Sequence, residues 1–177
     1  VLYSHPIPHE DVLRIIENAS SINRPVSLAS KKDSKANGTD QDLDDYYAFS
    51  KQKVNVAEDF DSFVNEDIYQ IMCGGYKNEY DALMKDVEGA QITAWWNRAV
   101  DIIPAGGGKG NGIHKVLEYY HFTPEEAIAF GDGTNDIEML EAVGTGVAMG
   151  NATDNVKAIA DDICLSVSED GVYHYCL

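Results

Sequence analysis

Apolar positions along this chain change rhythm once, near residue 98. Before that point helix-like and strand-like stretches are mixed. Val12, Ile15, Ile16 and Ala19 recur at i, i+3, i+4 and i+7, which predicts a helix with one buried face. The stretches VLYS (1–4), RPVSLAS (24–30), DIYQIMC (67–73), AQITAWW (90–96) and AVDIIP (99–104) read as strands, and KNEYDALMKDV (77–87) as a helix. Residues 31–45 are polar, with a turn expected at Asn37-Gly38. DQDLDDYYAFSK (40–51) then starts a helix with acids in its first turn, where the helix dipole favours them. A calcium loop is the other reading of those acids, but the glycine and terminal glutamate of an EF-hand are missing.

From residue 98 strands and helices alternate. The order is AVDIIP, a glycine loop, helix GIHKVLEYYH (112–121), the capping-box signal TPEE (123–126), strand AIAFGD (127–132), helix DIEMLEAV (136–143), strand GVAMG (146–150), helix ATDNVKAIA (152–160) and strand DICLS (162–166). Ile113, Val116, Leu117 and Tyr120 share one helical face. This rhythm predicts a parallel sheet of βαβ units, its short apolar strands covered on both sides. The fold class is therefore α/β: part of a doubly wound parallel sheet, joined to an α+β unit over about 9–97.

Composition narrows the partners. Thirteen Lys and Arg face thirty Asp and Glu, a net charge of −17. Such a surface repels nucleic acid and anionic membranes, and neither is expected as a partner. Three cysteines without a C-x-x-C pair argue against a disulfide framework or zinc site and for a reducing, cytoplasmic setting. In that setting the sequons at Asn18, Asn37 and Asn151 are chance matches. No apolar run reaches the roughly 18–20 residues of a membrane helix. The opening VLYSHPIP reads like the middle of a longer chain.

Two stretches carry candidate chemistry. In GDGTNDIEML (131–140), Asp132 follows a strand and Asp136 comes four residues later. Ligands of open α/β sheets sit beyond the carboxyl ends of strands. Two carboxylates there call for a cation or a lysine, and Mg²⁺ suits such oxygen donors. The same residues also suit a plain Asx turn. In AGGGKGNGI (105–113), glycines precede Lys109. The pattern is neither a Walker A loop nor G-x-G-x-x-G. Lys109 and the aspartates, at two strand ends, could clamp a phosphoryl group. A flexible connection with an exposed lysine is the alternative.

The ordered series KGNGI, GDGTNDIEML, GVAMGNATDNVKAIAD and EDGV resembles the C-terminal half of a haloacid dehalogenase (HAD) superfamily phosphatase of the Cof-like, type IIB cap group. The resemblance is strong over 102–172. It extends weakly through the opening VLYSHPIPHEDVLRIIENA, as entry to an α/β cap, and ITAWW as its exit. It implies a connection over 1–8, a cap over 9–97 and half of the core over 98–177. By resemblance, Lys109 stabilises the nucleophile and the phosphoryl charge, and Asp132 ligates Mg²⁺. Asp136 holds the metal's water shell or orients the lysine. Asn135 lies beside the phosphoryl group, Gly131 and Gly133 shape the loop, and Asn151 lies near the site mouth. The implied activity is Mg²⁺-dependent hydrolysis of small phosphorylated metabolites such as sugar phosphates.

The family's nucleophile is an aspartate in a D-x-D motif. DQD (40–42), DLD (42–44) and EDFDSF (58–63) are poor matches. The motif is expected upstream of Val1, so the chain alone is expected to be inactive. Its core sheet would then keep an open edge that invites self-association. Trp95, Trp96 and Arg98 either line the approach to the site or pack the cap. A truncated, non-catalytic binding module is the alternative function. A P-type pump domain shares Gly-Asp-Gly-x-Asn-Asp, but no membrane segment follows the motif here.

Overall fold

The structure, a computed structural model, describes residues 1–177. It divides into two compact units: His5–Gly106, and Gly107–Leu177 together with Val1–Ser4. No helix is long and apolar enough to cross a membrane.

The His5–Gly106 unit contains α1 (His9–Ser21), β1 (Val26–Ser30), β2 (Ser34–Ala36), α2 (Gln41–Phe49), α3 (Phe60–Phe63), β3 (Ile68–Gly74), α4 (Tyr80–Leu83), β4 (Ala90–Thr93) and β5 (Ala99–Pro104). The strands form one antiparallel sheet in the order β2-β1-β3-β5-β4. Its register sorts the side chains. Leu28 opposes Ile71, Ile71 opposes Ile102, and Ile102 opposes Ile92. This row packs with Val12, Ile15 and Ala19 of α1 and Leu83 of α4. The next row joins Ser27, Met72, Asp101 and Thr93, and Met72 packs with Leu43 and Tyr47 of α2. Buried Asp101 accepts hydrogen bonds from Tyr46 (2.6 Å) and Gln70 (2.7 Å).

Several expectations change here. AVDIIP does not open the parallel sheet. It is β5, antiparallel to β3 and β4, so the units divide after Gly106 and not near residue 98. β5 mimics a parallel strand because both its faces are covered. VLYS forms no strand. β2 lies inside the stretch that reads as polar. Trp95 and Trp96 lie beyond the end of β4, where they cluster with Phe49. Cys73 is buried, and burial pushes its thiol up to about 12, which makes it unreactive. Two sequon asparagines have structural partners. Asn18 donates to the carbonyls of Leu83 and Lys85 (2.9 and 2.8 Å), and Asn37 accepts from the Val26 amide (2.9 Å).

Arg24, largely shielded from solvent, ties this unit together. It donates to Asp42 (2.8 Å), Asp40 (3.2 Å) and Glu79 (2.9 Å), while Arg98 bridges Asp42 and Asp45. Asp40 also caps α2 by accepting from the Leu43 amide (2.8 Å). Burial alone would raise the Asp42 carboxyl, yet hydrogen bonds from Arg98 and Arg24 hold it below its ordinary value. The Arg24 hydrogen bond does the same for Glu79.

The second unit contains α5 (Lys109–Tyr120), β6 (Ile128–Gly131), α6 (Ile137–Glu141), β7 (Thr145–Ala148), α7 (Asp154–Ile159), β8 (Asp162–Ile163) and α8 (Gly171–Tyr175). The strands form a parallel sheet in the order β6-β7-β8, as the alternating rhythm predicts. TPEE forms a 3₁₀ turn with Thr123 and Glu126 as its capping box. The core is small: Ala129, Leu140, Ala148, Ala152 and Val156, backed by Ile113 and Ile137. The expected face of α5 is only partly covered, because Leu117 is buried while Val116 and Tyr120 stay exposed.

Arg24→Met is expected to destabilise the antiparallel unit by about 3 kcal/mol at pH 7, because it strands shielded carboxylates. The folded pKa values of Asp42 and Glu79 are depressed. Their contribution is therefore full above the ordinary carboxylate range and lost as pH falls through and below about 4. The wild-type advantage should shrink over that window in urea unfolding followed by Trp95 and Trp96 fluorescence, since both tryptophans lie in this unit.

Candidate active site

The glycine loop is a turning point. Gly106 and Gly108 have φ of 66° and 121°, values that side-chain-bearing residues rarely adopt. Lys109 follows in the first turn of α5, so its backbone is fixed by a helix that starts where the loop ends. Gly110 lets that turn approach α6: a Cβ there would lie 2.8 Å from the Glu138 carbonyl oxygen.

Asp136 is the centre of the arrangement. It closes the 3₁₀ turn Thr134–Asp136 that leads into α6, and only 7% of its side chain is accessible. One carboxylate oxygen accepts from Lys109 Nζ. The other accepts from the backbone amides of Asp132 and Gly133, each at 3.0 Å. Burial alone would raise its pKa. The Lys109 hydrogen bond and the amides of Gly133 and Asp132 outweigh that and hold the carboxyl below its ordinary value. Gly131 makes room for this carboxylate, since a Cβ there would lie 2.6 Å from Asp136 Cβ.

Asp132, at the carboxyl end of β6, is exposed. Its Oδ2 accepts from Asn151 Nδ2 at 2.7 Å. Asn135 is partly exposed in the same turn, its side-chain oxygen folded toward Gly133. The seven residues given site roles by the resemblance, Lys109, Gly131, Asp132, Gly133, Asn135, Asp136 and Asn151, therefore lie in one unit. Lys109, Asp132, Gly133, Asp136 and Asn151 are linked by direct hydrogen bonds. The geometry separates the two aspartates: both Asp136 oxygens are engaged by protein donors, so it orients the lysine and the loop. The carboxylate open toward solvent is that of Asp132. No group of three or more His, Cys, Asp or Glu side chains gathers anywhere in the structure to hold a metal.

The D-x-D candidates have structural work instead. Asp59 caps α3 by accepting from the Ser62 amide (3.0 Å). Asp40 and Asp42 belong to the Arg24 network, and Asp44 accepts from Thr39. None of these residues lies in the unit that carries Lys109 and Asp136, and that unit contains no D-x-D sequence.

The sequence profile of the haloacid dehalogenase-like hydrolases matches residues 1–176, and the chain belongs to that family. YkrA of Bacillus subtilis (strain 168) is 34% identical over 175 residues, which cover 97% of this chain and 66% of YkrA. The pyridoxal phosphate phosphatase YbhA of Escherichia coli (strain K12) is 36% identical over 128 residues, 72% of this chain and 44% of YbhA. The solved structure of a HAD subclass IIB sugar phosphatase superposes with a TM-score of 0.85 at 26% identity, over 97% of this chain and 66% of that one. The chain thus spans 66% or less of the length of each of these relatives.

Asp136→Ala is expected to leave the amides of Asp132 and Gly133 without their acceptor, a loss of about 1–3 kcal/mol. Urea unfolding followed by amide NMR signals of β6 and β7 would measure it. Asp132→Asn, at an exposed position, should change the same transition by no more than about 0.5 kcal/mol.

Proposed function

We propose that these residues are the lysine and metal half of a Mg²⁺-dependent phosphatase acting on small phosphorylated metabolites such as sugar phosphates. The observation that carries this reading is the Lys109–Asp136 pair held beside the open carboxylate of Asp132 at a strand end. Lys109 directs its ammonium toward developing phosphoryl charge, and buried Asp136 fixes the direction in which it points. Asn135 and Gly133 border the space where the phosphoryl group would sit. The donor set fits Mg²⁺, which is commonly held by one or two carboxylates with the remaining positions filled by water and substrate oxygens. Asp132 would hold it. The metal, when bound, would supply neutralisation of phosphoryl charge. The two enzyme relatives, a sugar phosphatase and a pyridoxal phosphate phosphatase, support a phosphorylated metabolite as substrate. Three free cysteines support a reducing, cytoplasmic setting.

The nucleophile is not among the residues around Lys109, so turnover belongs to a longer protein with a D-x-D aspartate. The test is hydrolysis of a generic aryl phosphate, with and without Mg²⁺, by the 177-residue chain and by a full-length version. The full-length version should be active only with Mg²⁺, and the 177-residue chain should be inactive. Lys109→Ala in the full-length version should reduce kcat by about 10²–10³. A full-length protein with no metal-dependent activity would overturn the enzyme reading and leave a non-catalytic binding module.

We also infer self-association of the 177-residue chain through the β6 edge. β6 ends the parallel sheet, and exposed Ile128, Val116, Tyr119, Tyr120 and Phe122 lie on β6, α5 and the turn between them. An open strand edge beside exposed apolar side chains favours pairing with a second copy. The net charge of −17 opposes it, and salt screens that repulsion. Sedimentation velocity should therefore show dimers increasing from low salt to about 0.5 M salt, where the Debye length falls well below 10 Å. A monomer at every salt concentration overturns this inference.

A further inference from the structure

We propose that Asn151 is a positioning residue for Asp132, and that it ties that carboxylate to the backbone of the C-terminal turn at Val167. The inference rests on the reading of Asp132 as the metal-holding carboxylate.

Asn151 follows β7 by three residues, in the turn that leaves the carboxyl end of that strand. Its amide faces two partners of opposite kind. Nδ2 donates to Asp132 Oδ2 at 2.7 Å, and Oδ1 accepts from the Val167 backbone N–H at 3.0 Å. These partners fix the amide orientation: a carboxylate accepts only from the NH₂ end, and a backbone N–H donates only to the oxygen. One rotamer therefore satisfies both bonds, and the flipped amide satisfies neither.

The platform under Asn151 is braced from three sides. The preceding residue, Gly150, donates its N–H to the Leu165 carbonyl (3.2 Å) and accepts from Lys157 Nζ (2.7 Å). Ala152, the next residue, donates to Met149 (2.8 Å) and is buried. The turn that carries Val167 is closed by Glu169, whose carboxylate accepts from the Ser166 hydroxyl and amide. Gly150 and Gly171 allow the close packing: a Cβ on Gly150 would lie 2.7 Å from the Ser166 nitrogen. Asn151 is thus a fixed bracket, while the Asp132 side chain it holds is exposed.

The consequence is directional. Asp132 has no cationic partner in the structure; its own N–H serves Asp136, and its Oδ2 is held by Asn151. With one oxygen held, the carboxylate presents the other to an incoming cation without searching rotamers. Partners that orient a metal-ligating carboxylate in this way commonly change metal affinity by about 10–100-fold when removed. Val167 reaches the site without touching it. Its side chain is largely exposed, and its part in the tether is the N–H alone.

The test uses Mn²⁺ as a paramagnetic probe on the ¹⁵N-labelled 177-residue chain, read by broadening of amide signals around Asp132. Two variants separate positioning from folding. Asn151→Ala removes the bracket. Val167→Pro removes only the backbone donor: position 167 starts a 3₁₀ turn after extended Ser166 (φ −67°, ψ 165°), a place where proline fits. The expected result is Mn²⁺ affinity at Asp132 weaker by about 10–100-fold in Asn151→Ala, a smaller loss in Val167→Pro, and unchanged amide signals in the antiparallel unit for both. Asp132→Asn should abolish the local broadening. Broadening at Asp132 in the wild type that persists within about twofold in Asn151→Ala overturns the positioning role and leaves the metal reading intact. A wild-type titration that never centres on Asp132 sinks the metal reading itself, and the positioning role with it.

Discussion

Everything at the site depends on keeping one buried carboxylate charged. Asp136 sits under the end of β6, where desolvation penalises its ionised form. Three donors compensate for that burial: Lys109 and the amides of Asp132 and Gly133. Each arrives because the chain is narrow at the right place. Gly131 leaves space for the carboxylate, and Gly110 lets the first turn of α5 approach α6. A side chain at either glycine would move the lysine or the loop. The small residues that look like a flexible loop are therefore what brings opposite charges together.

The antiparallel unit solves a similar problem by another route. Asp40, Asp42, Asp45 and Glu79 would repel one another, and Arg24 and Arg98 hold them. There the positive charge comes from guanidinium groups with several donors each, which suit a many-partner junction. The Lys109 ammonium is a compact charge on a flexible stem, and half of its side chain remains accessible. One network closes off its charges. The other leaves a cation at the surface, where it could meet an anion, as the proposed function requires.

Much of this was legible in the sequence, and the failures have physical causes. The spacing of Val12, Ile15 and Ala19 marked α1, and the acids at 40–45 marked the start of α2. The order of strand, helix and strand marked the β6-β7 unit, and the candidate site residues all fell within it. β5 was misplaced because a strand covered on both faces has no alternation to read, although Asp101 in its middle interrupts the apolar run. β2 escaped because Ser34 and Lys35 are only half-buried and its pattern is polar. The face of α5 was read correctly as a stripe, but spacing cannot say whether anything covers it. The bonds of Asn151 were invisible because they join β6, β7 and the 3₁₀ turn at Val167 across distances that pairwise spacing does not encode. The resemblance placed Asn151 near the site mouth, but nothing in the sequence named its two partners.

Charge counting bears on how the proposed half-site would work. Lys109 and Asp136 together are neutral, and Asn151 is uncharged, so Asp132 leaves the local balance one negative charge short of zero. An isolated phosphate dianion is repelled by such a site. A divalent cation on Asp132 would bring the balance to one positive charge, which Lys109 would reinforce. The second oxygen of Asp136 accepts from two backbone amides, whose dipoles spread its charge into the loop. The carboxylate pair is thus divided by its surroundings into a fixed internal counter-ion and an outward-facing carboxylate, and on the proposed reading the phosphoryl group's affinity for the site would be conditional on the metal.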